Sequence, residues 1–401
     1  MQRYEVVQIH MKNIDYLIGS ENIIVQPLQV FSDEACGFLQ ELSSVILKSP
    51  IARQYPDLSA VAFWCRKANI DKKKNIIDNC QNRLGRGLCF HIAPSNIPIN
   101  FAFSFFFSLL AGNANIVRIP SREFEQVNVL VRIMKDVLEN YPEIRERTAF
   151  VKYGRDNEIT ESFSEKADAR MIWGGDTTIE SIKKLKTKPR CVDITFADRY
   201  SICIINAEEI LVLPAEKLQR LAENFYNDTF LMDQNACSSP QLIYWINDNE
   251  KGRELFWEIV EKTAAKKYQL QDAVCVDKYT KLCEDSIDNG EIIDKIISHD
   301  NYLYRCNIKE LDPQIDKLRG KCGYFYEYSL KNFDELFNIV NSKYQTVTYF
   351  GINPENLLNK IIKKKIVGID RIVPIGKAMD IDAIWDGHNL IAELSRIIVK
   401  E

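Results

Sequence analysis

From residue 88 onward, short apolar runs alternate with longer segments of helical periodicity, and this rhythm constrains the fold more than any other feature of the sequence. Strand-length apolar runs separated by helices are typical of βαβ units, which build a mostly parallel sheet with helices on both faces. We therefore predict an α/β protein. The predicted strands of a first block are 88–93, 115–119, 149–153, 169–173, 192–196 and 202–205, with intervening helices at 99–110, 124–139 and 179–186.

A second block with the same alternation follows, and a different pattern precedes both. Residues 1–84 carry apolar positions mainly at helical spacing, so we predict a mainly helical N-terminal region. The elements predicted for the second block are helices at about 214–230 and 253–266, and strands at 242–246, near 323–328 and at 346–350.

Cys237 lies in surroundings that suit a nucleophile. Residues 233–241 read Asp-Gln-Asn-Ala-Cys-Ser-Ser-Pro-Gln, between a helix-like run and an apolar segment. A thiolate attacks acyl carbon well when nearby amides stabilise the anion, so a cysteine among small polar residues is a candidate for covalent chemistry. The alternative is a buried, inert thiol, which the apolar neighbours of Cys89 and Cys203 predict for those two residues.

A second polar segment, His-Ile-Ala-Pro-Ser-Asn-Ile-Pro-Ile-Asn at residues 91–100, follows a predicted buried strand and precedes an apolar helix. Asn96 falls on this turn at the carboxyl end of the strand, where open α/β sheets form their ligand crevices. Its side-chain amide is therefore a candidate donor to an oxyanion. A local Asx-turn, in which the side chain bonds to nearby backbone, is the alternative.

A diglycine turn offers a candidate phosphate contact. Gly174 and Gly175 end a predicted strand, and Thr177 falls where the next helix begins. Backbone amides at a helix N-terminus can receive phosphate oxygens, and glycines permit close approach. An ordinary N-cap is the alternative for this segment.

Taken together, these segments resemble the aldehyde dehydrogenase superfamily. In that superfamily a Pro-x-Asn-x-Pro-type turn supplies an oxyanion asparagine, a Gly-Asn-x-x-apolar-apolar-Lys/Arg strand contacts the cofactor, and a distant cysteine accepts the acyl group. The matching positions here are Asn96, Arg118 and Cys237. The matching segments run from about residue 85 to the C-terminus.

Three further segments narrow the resemblance to the acyl-CoA reductase family, typified by the fatty acid reductase of bacterial bioluminescence. They are Phe-Ala-Asp-Arg-Tyr-Ser at 196–201, the segment 235–241, and Val-Pro-Ile-Gly-Lys-Ala at 373–378 with Ile-Trp-Asp-Gly at 384–387. The resemblance implies an aldehyde dehydrogenase-like fold with two parallel-sheet α/β domains, one for the cofactor and one for catalysis. The domains we predict are 1–84 (mainly helical part of the cofactor domain), 85–198 (dinucleotide-binding), 199–370 (catalytic) and 371–401 (C-terminal segment).

The resemblance also implies a nicotinamide cofactor. Gly174, Gly175 and Thr177 match the turn beside the cofactor pyrophosphate, and Arg118 matches a contact to the ribose or its 2′-phosphate, with Ser121 just beyond. A guanidinium is planar, always positively charged and able to donate two parallel hydrogen bonds to a phosphate. Because the 2′-phosphate distinguishes NADPH from NADH, NADPH is the predicted cofactor. Without the resemblance, Arg118 could equally be a surface ion-pair partner.

The sequence lacks a glutamate base that would point to hydrolysis. Hydrolytic aldehyde dehydrogenases carry a glutamate base in a Glu-Leu-Gly-Gly-Lys-like segment, and the corresponding residues 193–201 here contain no glutamate. We therefore expect an acyl group on Cys237 to resist water and to be reduced. Asp193 and Asp198 remain alternative bases at this point.

The predicted function is NADPH-dependent reduction of a long-chain fatty acyl thioester to the fatty aldehyde through an acyl-cysteine. The resemblance implies acyl-CoA or an acyl-protein as donor, an acyl-protein synthetase as partner, and a homo-oligomer. Three alternatives stay open: an NAD(P)-dependent aldehyde dehydrogenase that oxidises an aldehyde, an acyl-phosphate reductase, and a non-catalytic subunit that only carries the acyl group.

Composition, charge and the spacing of particular residues argue against several other classes of protein. A net charge of −4 does not indicate a surface for nucleic acid, and the most membrane-like stretch, at 97–111, is interrupted by polar residues and too short to span a bilayer. The N-terminal residues do not form a signal-peptide core, and eleven scattered cysteines without a Cys-x-x-Cys pair indicate neither a disulfide framework nor a zinc site. The four histidines are equally dispersed, so no metal is predicted, and we expect a cytoplasmic protein.

Overall fold

The computed structural model describes residues 6–8, 13–94 and 97–400, apart from the side chains at 7 and 8. The chain divides into two compact units, one formed by Met1–Ala197 with Ile381–Glu401 and the other by Asp198–Asp380. The sequence-based division placed a boundary at 198/199 and treated 371–401 as a separate segment. In the structure the last 21 residues belong to the unit that contains the first predicted sheet.

The first unit is built on a six-stranded sheet. Its strand order is β2-β7-β6-β5-β8-β9, in which β5 to β9 are parallel to their neighbours and β2 is antiparallel to β7. The elements are β1 Val6–Gln8, β2 Asp15–Ile18, β3 Asn22–Ile24, α1 Asp33–Lys48, α2 Pro56–Trp64, α3 Lys67–Ile76, β4 Arg83–Gly85, β5 Leu88–Ile92, α4 Asn100–Leu110, β6 Ala114–Arg118, α5 Glu125–Leu138, α6 Pro142–Arg145, β7 Thr148–Lys152, α7 Asn157–Lys166, β8 Ala169–Trp173, α8 Asp176–Lys183 and β9 Val192–Phe196.

Local sequence explains the main elements of this unit. Every residue of the central strand β5, Leu-Cys-Phe-His-Ile, is buried, as expected for a parallel strand covered by helices on both faces. Helix α1 begins where the Ser32 side chain accepts a hydrogen bond from the Ala35 N–H, and Asp33 and Glu34 follow in its first turn, where negative charge is favoured. The predicted strands 115–119, 149–153, 169–173 and 192–196 are confirmed within one residue.

Helix α4 forms part of the core of the first unit. Phe101, Phe105 and Phe106 have no exposed surface. The ring of Phe105 lies 5.2 Å from that of Phe150, and the ring of Phe106 stacks 5.5 Å from that of Trp64. The prediction of a buried helix is therefore confirmed, and these aromatic side chains pack against each other instead of lining an open acyl channel.

The second unit is built on a seven-stranded sheet with the order β12-β13-β14-β11-β10-β15-β16. All neighbours are parallel except β12 and β13, which form an antiparallel pair that the sequence analysis did not predict. The elements are β10 Tyr200–Asn206, α9 Ala207–Leu211, α10 Ala215–Thr229, β11 Pro240–Ile246, α11 Glu250–Lys267, α12 Asp272–Asp288, β12 Ile293–His299, β13 Leu303–Ile308, β14 Tyr324–Ser329, α13 Phe333–Phe337, β15 Tyr344–Phe350, α14 Pro354–Lys364 and β16 Arg371–Pro374.

Residues 381–397 complete the first unit. Their elements are β17 Ile384–Trp385, β18 His388–Asn389, α15 Leu390–Glu393 and β19 Ser395–Ile397. Strand β19 pairs with β4, and the Trp64 indole N–H donates to the carbonyl of Ile381 at 2.9 Å. The Asn113 side chain donates to the carbonyl of Leu394 at 2.9 Å. These contacts, made across more than 280 residues, explain why the C-terminal segment joins this unit.

Candidate active site

The parallel strands of the first unit have an order that is typical of sheets with a ligand site at one edge. Numbered along the chain from β5 to β9, they lie in the order 3-2-1-4-5, so the direction of winding reverses between β5 and β8. Open α/β sheets bind ligands at such a reversal, outside the carboxyl ends of the strands. The segments that follow β5 and β8 in the sequence contain Asn96 and Gly174. The carboxyl ends of the two strands that precede these separately predicted segments thus lie at one edge of the sheet.

The diglycine turn after β8 leaves the N-terminus of helix α8 without a side-chain cap. Gly175 is the N-cap residue and makes no side-chain hydrogen bond, and a Cβ atom at Gly175 would meet no other atom within 4 Å. Gly174 donates its N–H to the carbonyl of Phe196 at 3.2 Å, which fixes the start of the turn. Thr177 lies exposed in the first helical turn. Uncapped amides beside an open backbone are suited to phosphate oxygens.

Arg118 lies at the carboxyl end of β6, on the same edge. Its Nη2 donates to the carbonyl of Gly154 at 2.9 Å, and its guanidinium carbon lies 4.3 Å from the centre of the Tyr153 ring. The guanidinium is therefore held by the end of the neighbouring strand β7. The guanidinium has five N–H donors, and its two carbonyl contacts, to Gly154 and at 3.5 Å to Tyr153, both involve Nη2. Ser121 lies exposed three residues further along the chain.

Asn96 and Ser95 lie outside the described residues, so the structure gives no geometry for the predicted oxyanion donor. The flanking elements are described: β5 ends at Ile92 and α4 begins at Asn100.

Cys237 lies in the second unit, in a turn between Met232 and strand β11. The thiol is partly buried. Asp233 and Gln234 both have left-handed backbone conformations, with φ values of 52° and 56°, which reverse the chain just before the cysteine. Because the turn directly precedes β11, it lies at the edge of the second sheet where that strand begins. The element that follows Cys237 in the chain is strand β11 and not a helix.

The side chain of Gln234 fixes this turn against the start of β14. Its Oε1 accepts the N–H groups of Gly323 at 2.7 Å and Tyr324 at 3.1 Å, and its Nε2 donates to the carbonyl of Tyr324 at 3.1 Å. A buried amide with both ends satisfied is held in one position. The polar neighbour of the cysteine is thus an anchor for the turn, a role that the sequence alone did not reveal.

Two further residues contact Cys237 directly. The Ser201 hydroxyl donates to the Cys237 carbonyl at 2.6 Å and accepts the Thr346 N–H at 3.2 Å. The Gln345 amide donates to the Cys237 sulfur, with 3.6 Å between Nε2 and Sγ. Sequence reasoning included Ser201 only as part of a motif and did not identify Gln345, which no local pattern distinguishes.

A buried carboxylate connects the Cys237 region to the Gly-Lys-Ala motif. Asp228 accepts the N–H of Gly376 at 2.6 Å and that of Ala378 at 2.9 Å. The next residue, Met379, receives a hydrogen bond from the Ser238 hydroxyl at 3.7 Å. Burial raises the pKa of Asp228 to about 7, although the two N–H donors oppose this shift. Asp228 therefore fixes the turn at residues 376–378. This turn leads to Met379, which contacts Ser238 beside Cys237.

This raised pKa predicts a pH-dependent stability. Between about pH 4 and 7 the folded protein keeps a proton that the unfolded chain has released, so the stabilising contribution of Asp228 is lost as pH rises through 7. We expect the stability of Asp228→Asn relative to wild type to improve across this window, by at most about 1.4 kcal/mol per pH unit. Urea unfolding at several pH values measures the difference. The exposed Asp277→Asn is the control, and a difference for Asp228→Asn that stays constant with pH contradicts the prediction.

The two aspartates that stood as alternative bases are both paired with arginines. Asp193 accepts from Arg170 through both oxygens, at 2.7 and 2.6 Å, and the Arg170 side chain is buried. Asp198 accepts from Arg319 through both oxygens at 2.9 Å. In each pair the guanidinium occupies both carboxylate oxygens and fixes the orientation of the carboxylate.

Other cysteines lie in different surroundings. Burial raises the pKa of Cys89 to about 12 and also raises the pKa of Cys203, so both thiols stay protonated at neutral pH. In the described ranges, no group of three or more His, Cys, Asp or Glu side chains is arranged to hold a metal ion. No helix among the described residues is long and apolar enough to cross a membrane.

Comparison with known sequences matches most of the chain. A family model described as acyl-CoA reductase (LuxC) matches residues 67–397. A long-chain acyl-protein thioester reductase from Vibrio harveyi is 23% identical over 322 residues, which make up 78% of this chain and 63% of that protein. The protein of the same name from Aliivibrio fischeri is 28% identical over 167 residues, 41% of this chain and 33% of that protein. The chain thus matches less than two thirds of the length of either relative.

Solved structures show the same fold at low sequence identity. Aldehyde dehydrogenase 21 from Physcomitrella patens has a TM-score of 0.63 and 12% identity, covering 92% of this chain and 85% of that one. An NAD-dependent benzaldehyde dehydrogenase from Corynebacterium glutamicum has a TM-score of 0.58 and 12% identity, covering 92% and 84%. The predicted aldehyde dehydrogenase-like fold, with two α/β domains containing parallel sheets, is confirmed.

Proposed function

The chain belongs to the acyl-CoA reductase (LuxC) family, and from this premise we propose that it reduces a fatty acyl thioester to the aldehyde through an acyl group carried on Cys237. The observation that carries the proposal is the setting of this thiol. It lies partly buried in a fixed polar turn, with an amide donor 3.6 Å from its sulfur and its carbonyl held by a serine. These contacts orient a thiolate and stabilise its charge, as nucleophilic catalysis requires.

The proposed substrate is a long-chain acyl group on CoA or on a protein. The relatives from Vibrio harveyi and Aliivibrio fischeri are named long-chain acyl-protein thioester reductases, which supports a protein-bound donor. An acyl-protein synthetase is the partner that would supply such a donor. We also propose that the protein acts in the cytoplasm as a homo-oligomer.

The proposed reaction begins when the Cys237 thiolate attacks the acyl carbonyl carbon. A carbon–sulfur bond to Cys237 forms, the bond to the carrier sulfur breaks, and the carrier leaves as a thiolate that takes a proton from water. The Asn96 amide and the Cys237 N–H are the proposed donors to the tetrahedral oxyanion. After reduction of the acyl carbon, the bond to Cys237 breaks, the aldehyde leaves and the thiolate is regenerated.

The proposed cofactor is NADPH, which when bound supplies the hydride that reduces the acyl carbon. The turn at Gly174 and Gly175 fits a dinucleotide, because it combines uncapped helix amides with open space on the glycine backbone at the reversal of the sheet. Thr177, Arg118 and Ser121 would complete the contacts, and the Arg118 guanidinium would favour a 2′-phosphate.

The arginine pairs support reduction over hydrolysis. An aldehyde-oxidising enzyme needs a base to activate water against the acyl-cysteine, but Asp193 and Asp198 are each held by both oxygens. With these carboxylates occupied, the acyl group on Cys237 is expected to persist until it is reduced. The same argument disfavours the aldehyde dehydrogenase alternative.

The test is to mix the purified protein with a long-chain acyl-CoA and NADPH, and to follow loss of the reduced nicotinamide while trapping aldehyde. We expect one aldehyde per NADPH consumed, with free fatty acid as a minor product. Asp193→Asn should leave the ratio of aldehyde to acid unchanged, because the proposed reaction does not use this carboxylate as a base.

Other outcomes point to the alternatives. Fatty acid as the main product, or turnover of added aldehyde with NAD⁺, would favour the dehydrogenase. Acylation of Cys237 on intact-mass analysis, without nucleotide binding, would favour an acyl-carrying subunit. Turnover of an acyl phosphate in preference to the thioester would favour the acyl-phosphate reductase.

A further inference from the structure

In the sheet of the second unit, strand β10 pairs irregularly with both of its neighbours, β15 and β11, beside Ser201. Between β10 and β15, Tyr200 pairs with Tyr344 but Ile202 pairs with Val347, so that two residues of β15 lie opposite one residue of β10. Between β10 and β11, Ser201 pairs with Pro240 and Ile202 with Leu242, which leaves one extra residue in β11. Bulges of this kind change the direction of a side chain and are common beside active sites.

The bulge in β15 consists of Gln345 and Thr346, and it directs both residues to the nucleophile turn. The Thr346 N–H donates to the Ser201 hydroxyl, and that hydroxyl donates to the Cys237 carbonyl. The Gln345 side chain reaches the Cys237 sulfur itself. The turn is therefore held at two points, its backbone through β10 and its sulfur through β15.

Gln345 is fixed in this position. The residue is 2% exposed, and its Oε1 accepts a hydrogen bond from the Thr346 hydroxyl at 3.4 Å, which sets the direction in which its amide nitrogen points. Its backbone carbonyl accepts the N–H of Asp370 at 2.9 Å. A donor that is already oriented loses little conformational freedom when the sulfur becomes charged.

We propose that Gln345 is a catalytic residue whose amide N–H stabilises the Cys237 thiolate and sets the direction from which the sulfur attacks. The catalytic part of this statement rests on the proposed function, whereas the effect on the thiol does not. A hydrogen bond to a charged acceptor is about twice as strong as one to a neutral acceptor, so the donor favours the thiolate over the thiol. At this contact the charge is stabilised by a neutral amide.

The test measures the thiol without any substrate. Purified wild type and Gln345→Met are alkylated with iodoacetamide from pH 6 to 10, and the rate at Cys237 is read from its peptide by mass spectrometry. Methionine keeps the length of the side chain and removes the N–H donor. We expect the pH midpoint of Cys237 alkylation to rise by about one unit and the rate at pH 7 to fall about tenfold.

A second variant and a control make the result decisive. Gln345→Glu has the same shape but replaces the donor by an acceptor, so its midpoint should rise at least as far as that of the methionine variant. Gln219→Met makes the same chemical change at an exposed position on α10 and should leave the midpoint unchanged. An unchanged midpoint in folded Gln345→Met, or in Gln345→Glu if the first variant does not fold, overturns the proposal. A shifted midpoint in a protein without reductase activity would confirm the effect of Gln345 on the thiol, but would remove its catalytic role together with the proposed function.

Discussion

Replacing Cys237 with alanine is expected to abolish aldehyde formation, with a loss of turnover of about 10⁴-fold or more. The substitution removes the only atom on which the proposed acyl intermediate forms, and loss of a nucleophile in acyl-transfer enzymes has effects of this order. The fold should survive, because the thiol is partly buried and the turn is held by the Gln234 side chain and by Ser201 through the Cys237 carbonyl. The assay is NADPH loss coupled to aldehyde trapping.

A second readout separates chemistry from folding. Wild type incubated with acyl-CoA in the absence of NADPH should gain the mass of one acyl group, and Cys237→Ala should not. Cys283→Ala makes the same change on helix α12, in a residue without a part in the proposed chemistry, and should retain activity and acylation. If Cys237→Ala still reduced the substrate at the wild-type rate, the nucleophile would have to be another residue.

Replacing Asn96 with alanine is expected to lower turnover by about 10²–10³-fold, equivalent to about 3–4 kcal/mol of transition-state stabilisation. This prediction rests on the sequence resemblance and on the position of the turn between β5 and α4 at the reversal of the sheet. An oxyanion donor acts on the transition state more than on the bound substrate, so kcat should fall while KM changes little. Steady-state kinetics with acyl-CoA measures both constants.

Asn128→Ala is the matched control, since Asn128 is an exposed asparagine on helix α5. It should show wild-type kinetics. Unchanged kcat in Asn96→Ala would mean that the side chain forms a local turn, the alternative that the sequence left open. The rate of Cys237 alkylation should be the same in Asn96→Ala and wild type if the asparagine acts only on the oxyanion.

Several parts of the fold and site could be predicted because their signals are local. The strands around 88–93 and 169–173 are short apolar runs, so their residue types alone predict that both faces of each strand are buried. Cys237 differed from Cys89 and Cys203 through its immediate neighbours, and the structure places those two thiols in the buried positions that the sequence predicted.

Other parts depend on residues far apart in the chain and could not be predicted. No pattern within residues 381–397 indicates the unit to which they belong. Their partners, Trp64, Asn113 and strand β4, lie far away in the sequence. The pairing of Asp193 with Arg170 spans 23 residues, and only the alignment of β8 and β9 brings the two side chains together.

The α/β alternation, the thiol in a polar turn and the absence of a glutamate from residues 193–201 can all be read from residue types and near neighbours. The order of the strands, and the contact between Gln345 and Cys237 across 108 residues, emerge only when the chain is folded. Periodicity fixes how each segment folds, whereas strand order, register and bulges depend on which segments bury their surfaces against one another.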